Sequence, residues 1–170
     1  MFIDIRELKR DKLVFAEEFP PGRINLGKEA LQAEPLVAEG LAELIEAEIR
    51  LQGRLQTTVE VICARCLEPI RLPVDKEFDL YYRPVQTIAR EEEVEIDDAE
   101  LEVGFYQGQG LLLEDALKEQ ILLELPMKSL CRPDCRGLCP QCGQNRNVVQ
   151  CDCPLPARED RWAALAQLKK

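Results

Sequence analysis

From Ala47 to Cys63 apolar and polar side chains alternate: Ala47, Ile49, Leu51, Gly53, Leu55, Thr57, Val59, Val61 and Cys63 fall on one side, and Glu48, Arg50, Gln52, Arg54, Gln56, Thr58 and Glu60 on the other. Successive strand side chains point to opposite faces, so this period predicts a long strand, or two broken near Gly53, with one face buried. Ile70, Leu72 and Val74, then Phe78, Leu80 and Tyr82, continue the alternation. A meander through the turn at Cys63 follows. Leu36 to Ile45 is rich in helix-forming Ala, Leu and Glu, but Gly40 weakens a helix there, and the segment reads as a further strand.

The period changes late in the chain. Between Leu111 and Leu125, residues Leu112, Ala116, Leu117, Ile121 and Leu125 recur at helical spacing, and Pro126 supplies a stop. From Pro156 to Lys170, Trp162, Leu165 and Leu168 share one helical face, predicting a terminal helix that covers the core. The fold class is therefore α+β: an antiparallel β-rich N-terminal half, one central-to-late helix, a Cys-rich segment resembling a zinc ribbon, and a terminal helix. A chain of 170 residues suffices for one domain with a real core. Within that single domain the expected divisions are a β-rich half at 1–90, an acidic connector at 91–110, the helix at 111–126, the Cys-rich segment at 127–154 and the terminal helix at 155–170.

Charge changes the picture. The net charge is −10, whereas a protein that binds nucleic acid unaided normally offers a basic face to the phosphates. Glu91, Glu92, Glu93, Glu95, Asp97, Asp98, Glu100 and Glu102 concentrate the excess in one run, which reads as a solvated connector or a docking surface for a basic partner. Histidine is absent and Ser129 is the only serine, so catalytic triads and histidine-bearing catalytic zinc sites are excluded. No phosphate-cradling glycine loop is present, and no carboxylate pair sits in a recognisable motif. An enzyme is not expected.

The eight cysteines carry the chemistry. Cys131, Cys135, Cys139, Cys142, Cys151 and Cys153 crowd one segment, and Cys63 and Cys66 form a pair far upstream. A Cys-x-x-Cys turn folds two sulfurs to one side, half of a tetrahedral zinc site. Two such turns occur, Cys63 to Cys66 and Cys139 to Cys142. In the second, Pro140 stiffens the turn and Gly143 is suited to the positive φ that curls the backbone under a metal. The favoured pairing joins Cys139, Cys142, Cys151 and Cys153 at site one, and Cys63, Cys66, Cys131 and Cys135 at site two, with two structural zinc ions. The competing arrangement places one zinc on four of the six late cysteines and leaves Cys63 and Cys66 as a thiol pair. A disulfide framework is the bland alternative. Met1 to Lys12 carries Asp4, Arg6, Glu7, Lys9, Arg10 and Asp11 instead of an apolar leader, which predicts a cytoplasmic address where thiols stay reduced. Arg132, Arg136 and Arg146 in the same segment are candidates either for thiolate neutralisation or for RNA contact.

Val61-Ile62-Cys63-Ala64-Arg65-Cys66-Leu67 resembles the Cys-x-Arg-Cys-Leu element of the YceD family of bacterial and plastid proteins. The block from Leu130 through Cys131, Cys135, Cys139, Cys142 and Gly143 to Asn145 is similar to the cysteine-rich C-terminal block of many members, and Asn147, Cys151-Asp152-Cys153 and Arg161-Trp162-Ala163-Ala164-Leu165 fit the same pattern. The resemblance spans nearly the whole chain. It implies a non-enzymatic factor for accumulation of large-subunit ribosomal RNA and hence for ribosome assembly. The implied partners are ribosomal proteins or pre-large-subunit particles, with direct rRNA contact as an option and no membrane.

Overall fold

A computed structural model describes residues 1–28, 30–85 and 103–154. In chain order the elements are β1 (Phe2–Asp4), α1 (Ile5–Leu8), β2 (Leu13–Phe19), β3 (Ala30–Gln32), β4 (Leu36–Ile45), β5 (Glu48–Ile62), β6 (Pro69–Pro84), β7 (Val103–Tyr106), β8 (Gly110–Leu112) and α2 (Leu113–Glu124). The acidic run from Glu91 to Glu102 and the terminal segment expected to carry Trp162, Leu165 and Leu168 lie outside the described residues.

The alternation from Ala47 onward becomes one strand that passes Gly53 unbroken. Strands β2, β4, β5 and β6 lie side by side, each antiparallel to the next, and β3 pairs with the far end of β5. Leu36 to Ile45 is strand β4, as its glycine implies. The β5–β6 pairing runs from Ile49 opposite Tyr82 to Ile62 opposite Pro69, which makes it the longest hairpin of the sheet. Its turn holds Cys63 and Cys66. The antiparallel expectation stops at β6, because β7 runs parallel to it. A separate ribbon pairs β1 with β8 and leads directly into α2.

One face of the sheet is the core. Ile49, Leu51, Leu55 and Val59 of β5 are buried beside Leu36, Ala38 and Ala42 of β4 and Phe15 and Phe19 of β2. Leu113, Ala116, Leu117 and Ile121, at helical spacing on α2, complete this core with Ile3 and Leu111 of the ribbon. Burial of each such large side chain stabilises the fold by about 1.5–3 kcal/mol. The helix ends where the sequence implies: Leu125, preceding Pro126, leaves helical geometry at ψ 133°, since a proline ring crowds an α-conformation in the residue before it.

The opposite face carries charged pairs beside the exposed Val14 and Val37. Arg54 Nε and Asp75 Oδ1 are 2.6 Å apart, Arg50 Nε and Asp79 Oδ1 2.8 Å, and Arg71 lies 3.8 Å from both Glu34 and Glu60. The Arg54 guanidinium holds the Asp75 carboxyl down at about 2. Exposed pairs of this kind contribute little stability. Their consequence is electrostatic: the arginines of this face are matched by carboxylates, so it offers phosphates no bare basic surface.

Gly40 and Gly53 stand opposite each other on β4 and β5. A Cβ on Gly53 would lie 2.3 Å from the Glu39 carbonyl oxygen and 3.0 Å from the Phe78 ring, and one on Gly40 would lie 2.3 Å from the Gln52 carbonyl oxygen and 2.8 Å from the Phe15 ring. Two glycines thus let the strands approach under two aromatic rings. Gly53→Ala is expected to destabilise the fold by about 2 kcal/mol through overpacking and to lower the thermal midpoint by about 5 °C, read by calorimetry. An unchanged midpoint would mean that the close approach is not needed.

Candidate metal centres

Strand β5 ends at Ile62 and β6 begins at Pro69, so Cys63 to Glu68 must reverse the chain. The Leu67 N–H donates to the Cys63 carbonyl at 3.0 Å, the Cys63 N–H donates to the Glu68 carbonyl at 2.9 Å, and Leu67 takes φ 61°. That left-handed conformation costs a non-glycine residue about 1–2 kcal/mol. Both sulfurs of the turn consequently face one side. The Ala64 N–H donates to the Ser129 carbonyl at 2.8 Å, which ties the late segment to the turn. Arg65 extends from the same turn and donates through Nη1 to the Cys135 carbonyl at 2.9 Å.

The result brings Cys63, Cys66, Cys131 and Cys135 together, with all four Sγ atoms within 4.8 Å of one another. Cys63 and Cys135 sulfurs are 3.9 Å apart, and Cys66 and Cys131 sulfurs 3.7 Å. A bonded disulfide needs about 2.05 Å. Tetrahedral zinc with Zn–S near 2.3 Å spaces its sulfurs about 3.8 Å apart, and these two separations match that edge length. Cys63, Cys66 and Cys135 are buried and Cys131 is exposed.

The second group is built on the knuckle. Gly143 takes φ 71°, its N–H donates to the Cys139 carbonyl at 2.9 Å, and the Cys139 N–H donates to the Gln144 carbonyl at 2.8 Å. Leu138 bridges Asn145 in antiparallel fashion across the turn. Cys139, Cys142, Cys151 and Cys153 then converge, again with every Sγ within 4.8 Å of the others. This group is more open: only Cys139 is buried and Cys142 is exposed. The two groups adjoin, because the Leu138 N–H donates to the Arg65 carbonyl at 3.1 Å.

The electrostatics of both groups call for a cation. The Cys66 amide holds the Cys63 thiol down at about 6, and the Cys142 and Gln141 amides hold Cys139 down at about 6. Burial and the neighbouring Cys135 push Cys131 up to about 12. The Cys142 sulfur and burial push Cys153 up to about 12. In the first group Cys63 and Cys135 are held down while Cys66 and Cys131 are pushed up, and in the second Cys139 is held down while Cys151 and Cys153 are pushed up. A divalent ion bound to all four would offset that conflict, leaving a net charge of about −2 on the site. Each group could therefore hold a metal ion, and the pairing matches the favoured one of the two read from spacing.

The three candidate arginines are exposed. Arg132 Nη2 donates to Asn147 Oδ1 at 2.8 Å, and Arg132 Nε lies 3.6 Å from Asp134. The backbone N–H groups of Arg136 and Arg146 are used locally, on Asn147 Oδ1 and the Gly137 carbonyl. Sequence reasoning singled out neither Arg65 nor Asn147 for a role at the site. Their places inside the cysteine motifs were the only signal.

A strand-rich α+β protein that gathers eight cysteines into two closed groups of four is the class these features define. Residues 51–169 match the family described as large ribosomal RNA subunit accumulation protein YceD, and the chain belongs to that family. An uncharacterised protein of Mycobacterium tuberculosis is 35% identical over 125 residues, covering 72% of this chain and 58% of the relative. The chain thus spans less than two thirds of that relative's length. The large ribosomal RNA subunit accumulation protein YCED homolog 1, chloroplastic, of Zea mays is 28% identical over 129 residues, covering 62% of this chain and 44% of the relative. Its Arabidopsis thaliana counterpart is 24% identical over 152 residues, covering 72% and 45%. No solved structure matches the chain.

Native mass spectrometry is expected to find two zinc ions per chain, and one after Cys63→Ser and Cys66→Ser together. A single ion in both proteins would return the early pair to the status of free thiols.

Proposed function

We propose that the chain is a non-enzymatic factor for accumulation of large-subunit ribosomal RNA, acting in the cytoplasm on assembly of the large ribosomal subunit, with two structural zinc ions. Family membership carries this reading, since the plant relatives bear that role in their names. Closed sets of four thiols support the structural part: a catalytic zinc keeps an open position, and these sets offer four donors each. Cys139, Cys142, Cys151 and Cys153 would hold one ion in a ribbon-like knuckle, and Cys63, Cys66, Cys131 and Cys135 the other. Zinc, when bound, supplies ligation without redox chemistry.

Thiol oxidoreductase chemistry at Cys63 and Cys66 is disfavoured by access. They are 0% and 3% exposed, whereas attack on a disulfide needs a reachable thiolate. Among the described residues no helix is long and apolar enough to cross a membrane.

In this reading the whole chain acts as one domain, and its acidity selects basic partners. The run from Glu91 to Glu102 attracts a basic ribosomal protein on a pre-large-subunit particle, while Arg132, Arg136 and Arg146 supply what RNA contact exists. Exposed charge attraction weakens as the Debye length falls below about 10 Å. Association with such particles, followed by affinity purification with RNA and protein identified together, should decline with ionic strength. Neutralising the acidic run should weaken it more than replacing the three arginines. Loss on arginine replacement alone would make the ribbon an RNA reader, and absence of ribosomal material would leave a zinc-ribbon module of another assembly.

A further inference from the structure

Asn147 lies between Cys142 and Cys151, on the loop closed by the knuckle group, yet its side chain reaches the other group. Asn147 Nδ2 donates to Cys135 Sγ at 3.3 Å and to Asn145 Oδ1 at 2.9 Å. Its Oδ1 accepts from the Arg136 backbone N–H at 2.8 Å and from the Arg132 guanidinium at 2.8 Å. An amide side chain has two N–H donors and two lone pairs on oxygen, so its whole capacity is spent. Turning the amide over would set donor against donor and oxygen against sulfur. Its orientation is therefore dictated.

We propose that Asn147 couples the two metal centres as a positioning residue: closing the knuckle loop around its own ion aims an N–H at the Cys135 thiolate of the buried centre and tightens metal there. The inference rests on the two-zinc reading above. The loop is fastened on the N-terminal side of this contact by Asn145. Asn145 accepts through its carbonyl from Val148 and Val149 at 3.0 Å each, and its Nδ2 lies 3.3 Å from Glu68 Oε1 on the hairpin turn. Without ligation at Cys151 and Cys153 nothing covalent holds the loop end, and Asn147 is released from the sulfur. A hydrogen bond to a ligating sulfur draws off part of its charge and eases the repulsion among four thiolates. Coupling of this kind is reciprocal, so loading the buried centre also tightens the knuckle.

A double-mutant cycle on the full chain tests this, with zinc affinity of the buried centre read by chelator competition and occupancy by native mass spectrometry. Cys151→Ser should weaken the buried centre about 10-fold or more, and Asn147→Ala by a similar amount within the about 10–100-fold range of such outer contacts. Combining the two should add almost nothing. Asn147→Asp keeps the shape but loses the N–H donors, and should behave like Asn147→Ala. With cobalt as probe, both Asn147 variants should shift the sulfur-to-metal absorption band of the buried centre, which mere loosening of a loop would not do. Additive losses, an unaffected buried centre, or full affinity in Asn147→Asp would overturn the coupling alone. A wild-type chain that takes up no metal would overturn the two-zinc reading as well.

Discussion

Four cysteine sulfurs held within 4.8 Å of one another resist ionising together unless a cation sits among them, and this chain gathers such a set twice. Six of the eight cysteines lie in residues 127–154. In that segment the buried apolar positions are Cys135 and Cys139, and Met127, Val148 and Val149 are exposed. The small cluster that anchors it joins Cys135 and Leu130 to Cys63, Cys66 and Ile70 of the hairpin. Sulfur positions and short polar bonds, such as those of Asn145 and Asn147, supply the rest of its shape.

The sheet answers to a different force. Its buried face is continuous from Phe15 through Leu51 to Ile121, and its outer face carries matched charges. The β5–β6 hairpin joins the two regimes: its strands belong to the apolar core, while its turn carries two of the eight cysteines and Arg65. The fold thus offers a scaffold with its own apolar core, from which a segment that could hold metal extends.

What could be read in the chain beforehand follows from the same division. Period-two alternation marked β5 and β6 because one face of each is buried over many residues, and the helical spacing of Leu117 and Ile121 marked α2 for the same reason. Cysteine spacing pointed to both groups of four, since ligand geometry is local at a Cys-x-x-Cys turn. The short strands β1, β3 and β8 carry too few residues for a period to show, and β7 pairs in parallel within a stretch that reads as an acidic connector. The contacts of Asn147 and Arg65 stayed hidden because their partners lie at Cys135, a tertiary contact that no local pattern encodes. Whether the strand ran on through Gly53 or broke there stayed open, since the answer depends on two rings and a second glycine across the sheet.

Hydrogen exchange along the full chain, with and without a strong zinc chelator, tests the central claim most directly. The account predicts that chelation strips protection from residues 127–154 and from the turn at Cys63 to Glu68, while β4 and the middle of β5 keep theirs. Equal protection throughout in both conditions would contradict it.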